Sequence, residues 1–466
     1  MGQNEVAVES PLLTSNKDDD DDDDDEKNLR GAAASFTGSV FNLSTTIIGA
    51  GIMALPAAIK VLGVAAGIAA IIFLAFLTET SLDILMRFSR VGNARSYGDV
   101  MGYAFGWVGR LVLQISVLIN NLILVVYVII IGDVLSGTSS TGIHHFGVLE
   151  GWFGEHWWTG RAFVLLVATI LVFTPLGFFK RVDSLRYTSA LAVALAVMFL
   201  VIIAGITIVK LFNGSIERPR LLPNITDATS IWNLFTAVPV LVTAFVCHYN
   251  VHTIDNELGE SSPIQPVVRA SLVLCSLIYI LTALFGFLLF GESTLDDVLA
   301  NFDTDLGIPY SSLLNDIVRI SYALHLMLVF PVIFFSLRFN LDDLIFPSAR
   351  SLDLDRCRFV FITTGLIALL YVAANFVPSI WTVFQFTGAT ATVCLGFIFP
   401  GAIALRDPQG VATKKDKILS IVMIFLAVFS NVVAIYSNAD ALFRKHVDPH
   451  HSLPEKLSLL IYSQDI

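Results

Sequence analysis

The sequence predicts an all-α protein that crosses a membrane many times, and three observations lead to this fold class. Of the 466 residues, 55% are hydrophobic and only 14% are charged, against about 25% charged in an average soluble chain. The mean hydropathy is +0.75. Eleven apolar runs each approach the length of about 20 residues that a helix needs to cross a bilayer. These values exclude a soluble globular, a fibrous and a disordered protein.

The predicted spans follow one another through most of the chain. They are 36–59, 64–86, 111–135, 162–179, 187–211, 231–251, 270–290, 314–337, 359–377, 379–404 and 418–437. Val377 and Pro378 mark the boundary between the ninth and tenth spans, with almost no loop between them. No cleavable signal peptide precedes the first span, because residues 1–35 are polar and acidic. We therefore expect the first span to act as its own insertion signal.

Three regions make up the predicted domain organisation: a disordered acidic tail at 1–35, the eleven-helix domain at 36–437 and a C-terminal segment at 438–466. Eight consecutive aspartates, Asp18 to Asp25, give the tail most of the net charge of −11. Such a run repels itself and stays solvated. A tail that binds calcium or a cytosolic partner is the alternative interpretation.

The distribution of Lys and Arg predicts the orientation in the membrane. With an odd number of spans, the side that holds the N-terminus carries more than twice as many of these residues as the other side. The positive-inside rule then predicts a cytosolic N-terminus and a lumenal or external C-terminus. Asn213 and Asn224 begin glycosylation sequons in a loop that this orientation assigns to the lumen.

The first span has a sequence that is poorly suited to a straight helix. Thr45 and Thr46 are followed by Gly49 and Gly51, and Pro56 comes shortly afterwards. Glycine and proline both weaken a helix interior. Unwinding at the glycines would free N–H groups for a carboxylate and carbonyl groups for a cation. The alternative is a straight helix whose small residues pack against a neighbour.

The sixth span contains a second predicted interruption. Polar residues stand at three successive positions, His248, Tyr249 and Asn250, so they cannot all share one buried helical face. The first and sixth spans are corresponding members of two five-helix repeats, 36–211 and 231–404, which an eleventh helix at 418–437 follows. Matched interruptions of this kind indicate an inverted-repeat transporter with its site at the membrane midplane.

Motifs in four spans carry a family resemblance. The stretches Ser39–Ser44 and Ile48–Pro56 are similar to the first-span signature of the amino acid/auxin permease family. The stretches that resemble the family's sixth, third and tenth spans are Thr243–His248, Val126-Tyr127 with Ile131-Gly132-Asp133, and Phe386–Thr390. Within the family, residues 35–437 resemble plant vacuolar amino acid transporters related to the sodium-coupled neutral amino acid transporters. The resemblance implies a LeuT-type 5+5 inverted repeat with 11 transmembrane helices, and movement of amino acids coupled to an ion gradient.

The resemblance also implies where the substrate binds. Backbone N–H groups at the first interruption would meet the substrate carboxylate, and side chains of the sixth span would face them. The candidate substrate-binding residues are Thr45, Thr46, Gly49, Ala50, Gly51, Ile52, His248, Tyr249 and Asn250. For His248, the alternative is a structural histidine bonded to a carbonyl group of a neighbouring helix.

The eighth span departs from the pattern of sodium-coupled relatives. In those relatives, a sodium site joins first-span carbonyls to a hydroxyl residue two positions before a proline. Here the proline is Pro331 and the matching residue is Val329, which offers no oxygen. We therefore predict proton coupling, with His248 and His325 as titrating candidates because histidine titrates near pH 6.5. A packed core histidine is the alternative for His325.

Charged residues within the spans have simpler interpretations. Glu79, Asp83 and Arg87 recur every four residues and are expected to form an ion-pair ladder on one helical face. Asp316 and Arg319 are expected to pair at the start of the eighth span.

These observations together predict a secondary active transporter of amino acids that works by alternating access. No P-loop sequence or catalytic constellation appears, so we expect neither ATP-driven pumping nor an enzyme. No cofactor is expected, and the coupling ion is predicted to be H+. Expected partners are the amino acid and the lipid bilayer, not nucleic acid, with a possible cytosolic partner for the acidic tail. The expected location is the vacuolar membrane, with the plasma membrane second. The alternatives are an amino-acid sensor that signals through the tail, and a sodium-coupled carrier.

Overall fold

The computed structural model describes residues 34–140, 143–258, 263–303, 305–347, 349–376 and 388–447. The acidic tail up to residue 33, the C-terminal residues after 447, and Phe386 and Thr387 of the tenth-span motif lie outside the described residues. The predictions that concern them stay predictions.

The described residues form a nearly all-helical fold. In chain order, the α-helices are α1 (Phe36–Ile47), α2 (Leu55–Leu62), α3 (Val64–Val91), α4 (Tyr97–Asn121), α5 (Ile123–Ser136), α6 (Val148–Phe153), α7 (Arg161–Ala168), α8 (Thr174–Gly177), α9 (Arg186–Phe212), α10 (Ala228–Leu234), α11 (Ala237–Phe245), α12 (His248–Leu258), α13 (Ile264–Phe290), α14 (Ser311–Ile345), α15 (Arg356–Phe376), α16 (Phe399–Arg406) and α17 (Lys414–Val447). The 3₁₀-helices are Ala50–Ala54, Asp183–Leu185, Gly291–Ser293, Val298–Asp303 and Leu352–Leu354, and the π-helical turns are Thr169–Phe173, Gly388–Thr392 and Cys394–Ile398.

Within the described residues, eight helical segments are long and apolar enough to cross a membrane. The pair Phe36–Ile47 and Ala50–Leu62, bent by 52°, provides a ninth if it is counted as one span. Arg161–Gly177 and Thr390–Arg406 are shorter apolar helices. Every predicted apolar run overlaps one of these segments, although the exact number of eleven spans stays a prediction.

The third span is longer than the sequence analysis predicted. It runs from Tyr97 to Ser136 rather than from residue 111. Gly106 interrupts it with a φ of +67°, a left-handed conformation that glycine adopts without strain. The part before this kink carries Asp99, two glycines and two tyrosines, which lower its hydropathy, so a hydropathy criterion alone did not detect it.

A short β-hairpin interrupts the helical fold. Strand β1 (Thr138–Ser140) pairs antiparallel with β2 (Ile143–His145), and Thr138 lies opposite His145. An all-α chain was expected to have a loop here. Strands of three residues are too short to show the alternation that identifies a strand in sequence.

The eighth span is the centre of the molecule. Of the most apolar part of α14, 83% is buried inside the protein, more than in any other candidate span that the structure describes. A helix that is apolar on all sides is expected at such a position. It packs against α1, α5 and α9, so it contacts the first span directly.

Two predicted ion pairs need correction. Arg87 does bind Asp83 at 2.9 Å, but Glu79 pairs instead with Arg269 on α13 at 2.7 Å. The predicted pair of Asp316 and Arg319 is wrong. Arg319 binds Asp303 at 3.5 Å, while the Asp316 carboxylate accepts a hydrogen bond from the indole of Trp152 at 2.8 Å. The actual partners lie on other helical elements, and sequence spacing does not show which of these come close in space.

Candidate functional site

The first span is broken where its glycines predict a break. Helix α1 ends at Ile47, and Ile48 and Gly49 leave the helical region with ψ values of 97° and −147°. The chain resumes as the 3₁₀-helix Ala50–Ala54 and then as α2, which has Pro56 in its first turn. Proline suits that position, because the first N–H groups of a helix have no intrahelical partner.

The sixth span is also broken, just before the three polar residues. Helix α11 ends at Phe245, Val246 is extended with a ψ of 118°, and α12 begins at His248. No glycine or proline stands between Phe245 and His248. The local sequence therefore does not require this break, and contacts with other helices must stabilise it.

Tyr279 of α13 joins the two breaks. Its hydroxyl oxygen lies 2.6 Å from the carbonyl oxygen of Ile47 and 2.8 Å from that of Ala244. Each carbonyl belongs to the last turn of a helix, where the intrahelical partner is missing. The two broken segments also contact each other directly, because a Cβ atom on Gly51 would lie 3.1 Å from the Cα of Ala244. The breaks therefore form one unit at the centre of the protein.

A small cavity of about 30 Å³ lies between the breaks. Five of the candidate substrate-binding residues line it: Thr46, Gly49, Ala50, Gly51 and Tyr249. The other lining residues are Ile47, Asn120, Ile123, Tyr127, Thr243, Val246, Ile333 and Thr392. This space suits one or two water molecules rather than an amino acid. An amino acid could bind here only if the surrounding helices separated.

Tyr127 of α5 lies against the first break. Its hydroxyl interacts with the backbone N–H of Ala50. A Cβ atom on Gly49 would lie only 2.0 Å from the same hydroxyl oxygen. The Tyr127 hydroxyl thus interacts with one of the backbone N–H groups that were predicted to bind the substrate carboxylate. The sequence motif Val126-Tyr127 marked this tyrosine, but nothing in the local sequence showed what it contacts.

The remaining candidate substrate-binding residues lie outside the cavity lining. The Thr45 hydroxyl donates to the carbonyl oxygen of Ser189 at 3.1 Å, and Ile52 is 1% exposed in the apolar core. The Asn250 amide donates to the Thr46 hydroxyl at 3.2 Å and to the carbonyl oxygen of Val332 at 3.3 Å. Asn250 therefore links the sixth span to the first and eighth spans.

His248 is fully buried and bonded to a neighbouring helix. Its Nε2 lies 2.9 Å from the Ser81 hydroxyl, which also donates to the carbonyl oxygen of Gly396. A carbonyl oxygen can only accept, so the single hydroxyl proton points at Gly396 and Nε2 must donate to Ser81. The neutral ring then carries its lone pair on Nδ1, which has no hydrogen-bond partner.

His325 contacts the first break from the eighth span. Its Nδ1 lies 2.8 Å from the carbonyl oxygen of Ala192, so this nitrogen carries the proton of the neutral ring. Nε2 forms no hydrogen bond, and the ring interacts with the backbone of Ile48 at the break. Val329, one turn further along α14, is fully buried and supplies no oxygen.

A vestibule of about 1260 Å³ opens on one side of the protein. Its lining includes Arg95, Lys180 and Arg350, which lie on the side that the charge count assigns to the cytosol. Tyr249 lines both the vestibule and the small cavity, so it forms part of the wall between them. On the opposite side, an ion pair between Arg161 and Asp133 joins the fourth and third spans.

Two further sites complete the comparison with the sequence predictions. Asn213 and Asn224 are exposed in the connection after α9, as glycosylation requires, and their modification stays a prediction. In the part of the chain that the structure describes, no three His, Cys, Asp or Glu side chains form a group that could hold a metal ion.

Residues 32–443 match a family model described as transmembrane amino acid transporter protein. The chain belongs to this family. It is 64% identical over 414 residues to the amino acid transporter AVT6A of Arabidopsis thaliana, covering 89% of this chain and 90% of the relative. It is also 28% identical to the sodium-coupled neutral amino acid symporter 2 of Danio rerio, covering 85% and 79% of the two chains. The protein is therefore an amino acid transporter in the membrane and not an enzyme.

Solved structures agree on the fold. The crystal structure of MhsT in complex with L-phenylalanine matches with a TM-score of 0.53 and 14% identity, covering 87% of this chain and 99% of MhsT. A manganese transporter from Eremococcus coleocola matches with a TM-score of 0.54 and 10% identity, covering 91% and 90%. At such identities the likeness concerns the fold alone, which is of the LeuT type.

Proposed function

We propose that this transporter carries amino acids by proton-coupled alternating access, with the substrate bound between the two helix breaks. The observation that carries the proposal is that both breaks line one small central cavity. Irregular backbone at membrane depth is tolerated only where it lines a cavity or is buried in protein. Two such segments that share a cavity are the arrangement expected of a midplane substrate site.

The first break offers its N–H groups to the substrate carboxylate. Gly49, Ala50 and Gly51 line the cavity with backbone rather than with large side chains. The Tyr127 hydroxyl interacts with the N–H of Ala50 in the closed cavity. When the helices separate, the carboxylate takes over that N–H group and also accepts a hydrogen bond from the Tyr127 hydroxyl. Hydrogen bonds to an ionised acceptor are stronger than the neutral ones they replace.

A proton on His325 would join the eighth span to the first break. An imidazolium ring donates at both nitrogens, whereas the neutral ring donates at one. Nδ1 already donates to Ala192, so the added proton would sit on Nε2, next to the backbone of Ile48. In the sodium-coupled relatives that the sequence resembles, the cation joins these same two spans. Val329 removes the oxygen that such a cation needs, which favours a proton at this position.

His248 provides a physical link between the proton and the substrate. It is the first residue of α12, where free N–H groups form the positive end of the helix. A second positive charge there is unfavourable unless an anion lies nearby. A substrate carboxylate between the breaks would supply that anion. Bound substrate would thus raise the affinity of His248 for a proton by some factor. By linkage, a proton on His248 would raise the affinity for substrate by that same factor.

We further propose a vacuolar location with the N-terminus in the cytosol. The vestibule carries Arg95, Lys180 and Arg350 at its lining, and the positive-inside rule favours such residues on the cytosolic side. An acidic lumen would then supply the proton gradient, and the open vestibule would release substrate into the cytosol.

The test is amino acid flux into proteoliposomes, with pH and sodium gradients imposed separately and a panel of neutral, acidic and basic amino acids. We expect flux driven by pH alone. The Val329→Thr variant adds the missing hydroxyl and should gain a response to sodium, while Val329→Ile serves as its control. Wild-type flux that requires sodium and ignores pH would refute proton coupling. Saturable binding without any flux would favour a sensor.

A further inference from the structure

We propose that His252 connects His248 to the vestibule and forms the cytosolic end of a proton path. The inference deepens the proton coupling proposed above, since it names the group through which the proton leaves. His252 is not among the site residues predicted from the sequence. Its position in the structure gives it a distinct role.

The His252 side chain is buried in the wall of the vestibule. It is only 4% exposed, yet it contributes to the lining of the vestibule. Neither Nδ1 nor Nε2 has a hydrogen-bond partner in the protein. A buried polar group without a partner costs about 1–3 kcal/mol, so its retention favours a role beyond packing. Both nitrogens are shielded from solvent in this conformation, so a small movement of the ring or of the vestibule wall is needed to bring them to water.

The ring of His252 packs against an aromatic ring of a neighbouring helix. It stacks on the ring of Tyr97 from α4, with the centroids 6.0 Å apart and the planes at 19°. The Tyr97 hydroxyl in turn donates to the carbonyl oxygen of Leu395 at 3.0 Å. Tyr97 therefore anchors His252 against the tenth span without using either imidazole nitrogen.

His248 lies one helical turn away, on the same face of α12. Residues four apart on a helix are neighbours, with Cβ atoms about 5–6 Å apart. Ser81 holds the His248 ring through Nε2, which leaves Nδ1 without a partner. A proton that arrives on Nδ1 therefore does not disturb the bond to Ser81. Together the two rings have three nitrogens without a hydrogen-bond partner among the described residues.

The surroundings of the two rings suit transfer rather than storage of a proton. Tyr97 on α4 stacks on the His252 ring, and Cys394 on the π-helical turn of the tenth span interacts with Tyr97. The two rings repel each other when both are charged, so a proton on one disfavours a proton on the other. Of the other helices that pack against α12, α1 carries no charged residue, whereas Asp342 and Asp343 of α14 line the same vestibule as His252.

Each step of the path moves one proton and no electrons. The proton on Nδ1 of His248 passes to a nitrogen of His252, directly after a side-chain rotation or through one water molecule. His252 then releases a proton to water in the vestibule, and both rings return to their neutral forms. His248 is thereby reset for the next cycle while the substrate leaves by the same vestibule.

The experiment compares two kinds of flux in proteoliposomes that contain the full-length protein and a pH-sensitive dye. Net uptake driven by a pH gradient requires proton movement, whereas exchange of labelled for unlabelled amino acid at equal pH does not. In the His252→Gln variant we expect net uptake and proton movement to fall by about 10-fold or more. Exchange should stay within about 2-fold of wild type, because the substrate cavity is unchanged. His156→Gln, at an exposed histidine on the opposite side, is the matched control.

A second variant separates proton transfer from packing. His252→Ala opens space beside the vestibule, and free imidazole added on that side should restore net uptake, more strongly as the pH approaches its pKa. Equal losses of net uptake and exchange, or no loss of either, would overturn the relay and leave proton coupling standing. Absence of pH-driven uptake in the wild type would instead overturn the proposed function, and the relay with it.

Discussion

The break in the first span and the break in the sixth span offer different groups to a ligand. The first presents backbone, because Gly49 and Gly51 have no side chains to cover it. The second presents side chains, because His248, Tyr249 and Asn250 begin the helix that follows. The first has glycine and proline in its sequence, and the second has neither between Phe245 and His248. A break in a membrane helix can thus result from the residues at the break itself or from contacts with neighbouring helices.

The difference also explains how each break is stabilised. At the first break, a larger residue would collide with Tyr127 or Ala244. At the second, hydrogen bonds from other spans hold the chain in place: Tyr279 binds the carbonyl oxygen of Ala244, and Ser81 binds His248. The first break should therefore be most sensitive to added volume, and the second to the loss of hydrogen-bonding groups.

The largest effect is expected for Gly49→Ala. The new Cβ atom would lie 2.0 Å from the Tyr127 hydroxyl oxygen, so either the break or the tyrosine must move. Displacements of about 1 Å in a binding site can cost 100-fold in rate, and we expect a loss of that order in flux. The double variant Gly49→Ala/Tyr127→Phe, which removes the obstructing oxygen, should recover part of the flux.

The control for this substitution is Gly205→Ala, because a Cβ atom on Gly205 in α9 meets nothing within 4 Å. It should transport normally and gain slightly in stability, since alanine suits a helix better than glycine by about 1 kcal/mol. Wild-type flux in Gly49→Ala would contradict the close packing of this break.

Tyr279→Phe should affect both breaks at once. It removes the hydroxyl that lies 2.6 Å and 2.8 Å from the carbonyl oxygens of Ile47 and Ala244. Leaving a buried polar group unsatisfied costs about 1–3 kcal/mol. We expect lower thermal stability in detergent and reduced flux. Tyr371→Phe, which loses a single bond of 3.2 Å to the carbonyl oxygen of Ala162, should cost less on both measures. Equal costs for the two variants would show that Tyr279 does not join the breaks.

Thr46→Val and Thr45→Val compare two adjacent hydroxyls with different surroundings. Thr46 lines the cavity and accepts from Asn250, whereas Thr45 binds Ser189 on α9. Loss of a hydrogen bond worth about 1 kcal/mol changes an affinity by roughly 5-fold. We expect Thr46→Val to raise KM by about that factor and Thr45→Val to lower stability with little change in KM. The reverse pattern in a concentration series would remove Thr46 from the substrate site.

The smallest effect is expected for Asp407→Asn, far from both breaks. The N–H group of Ala412, the side chain of Lys417 and the N–H group of Val411 hold the pKa of the Asp407 carboxyl below its ordinary value. A carboxyl whose pKa is lowered in the folded state stabilises the fold at pH values above its ordinary pKa. This contribution is lost as the pH falls through the lowered pKa. The variant should therefore lose a little stability at neutral pH and none in strong acid, with unchanged flux. A flux defect would show that a general loss of stability can imitate damage to a break.

The sequence alone determined the class of protein and half of the central site. Sparse charge and the eleven apolar runs indicated a polytopic helical membrane protein, because a helix that crosses a bilayer must be long and apolar. The first break could be predicted as well. Glycine and proline act through backbone freedom and a missing donor, which are local properties of the chain.

The second break and the connections between spans were decided by the tertiary structure. Tyr279, Ser81 and Tyr127 come from spans that are distant in sequence from the breaks they contact. Their hydroxyl groups give no signal in a hydropathy pattern. The same reason underlies the wrong pair of Asp316 and Arg319, whose partners Trp152 and Asp303 lie in other helical elements. Hydrogen bonds depend on distance in space, and only the packing of the helices brings these groups within reach of one another.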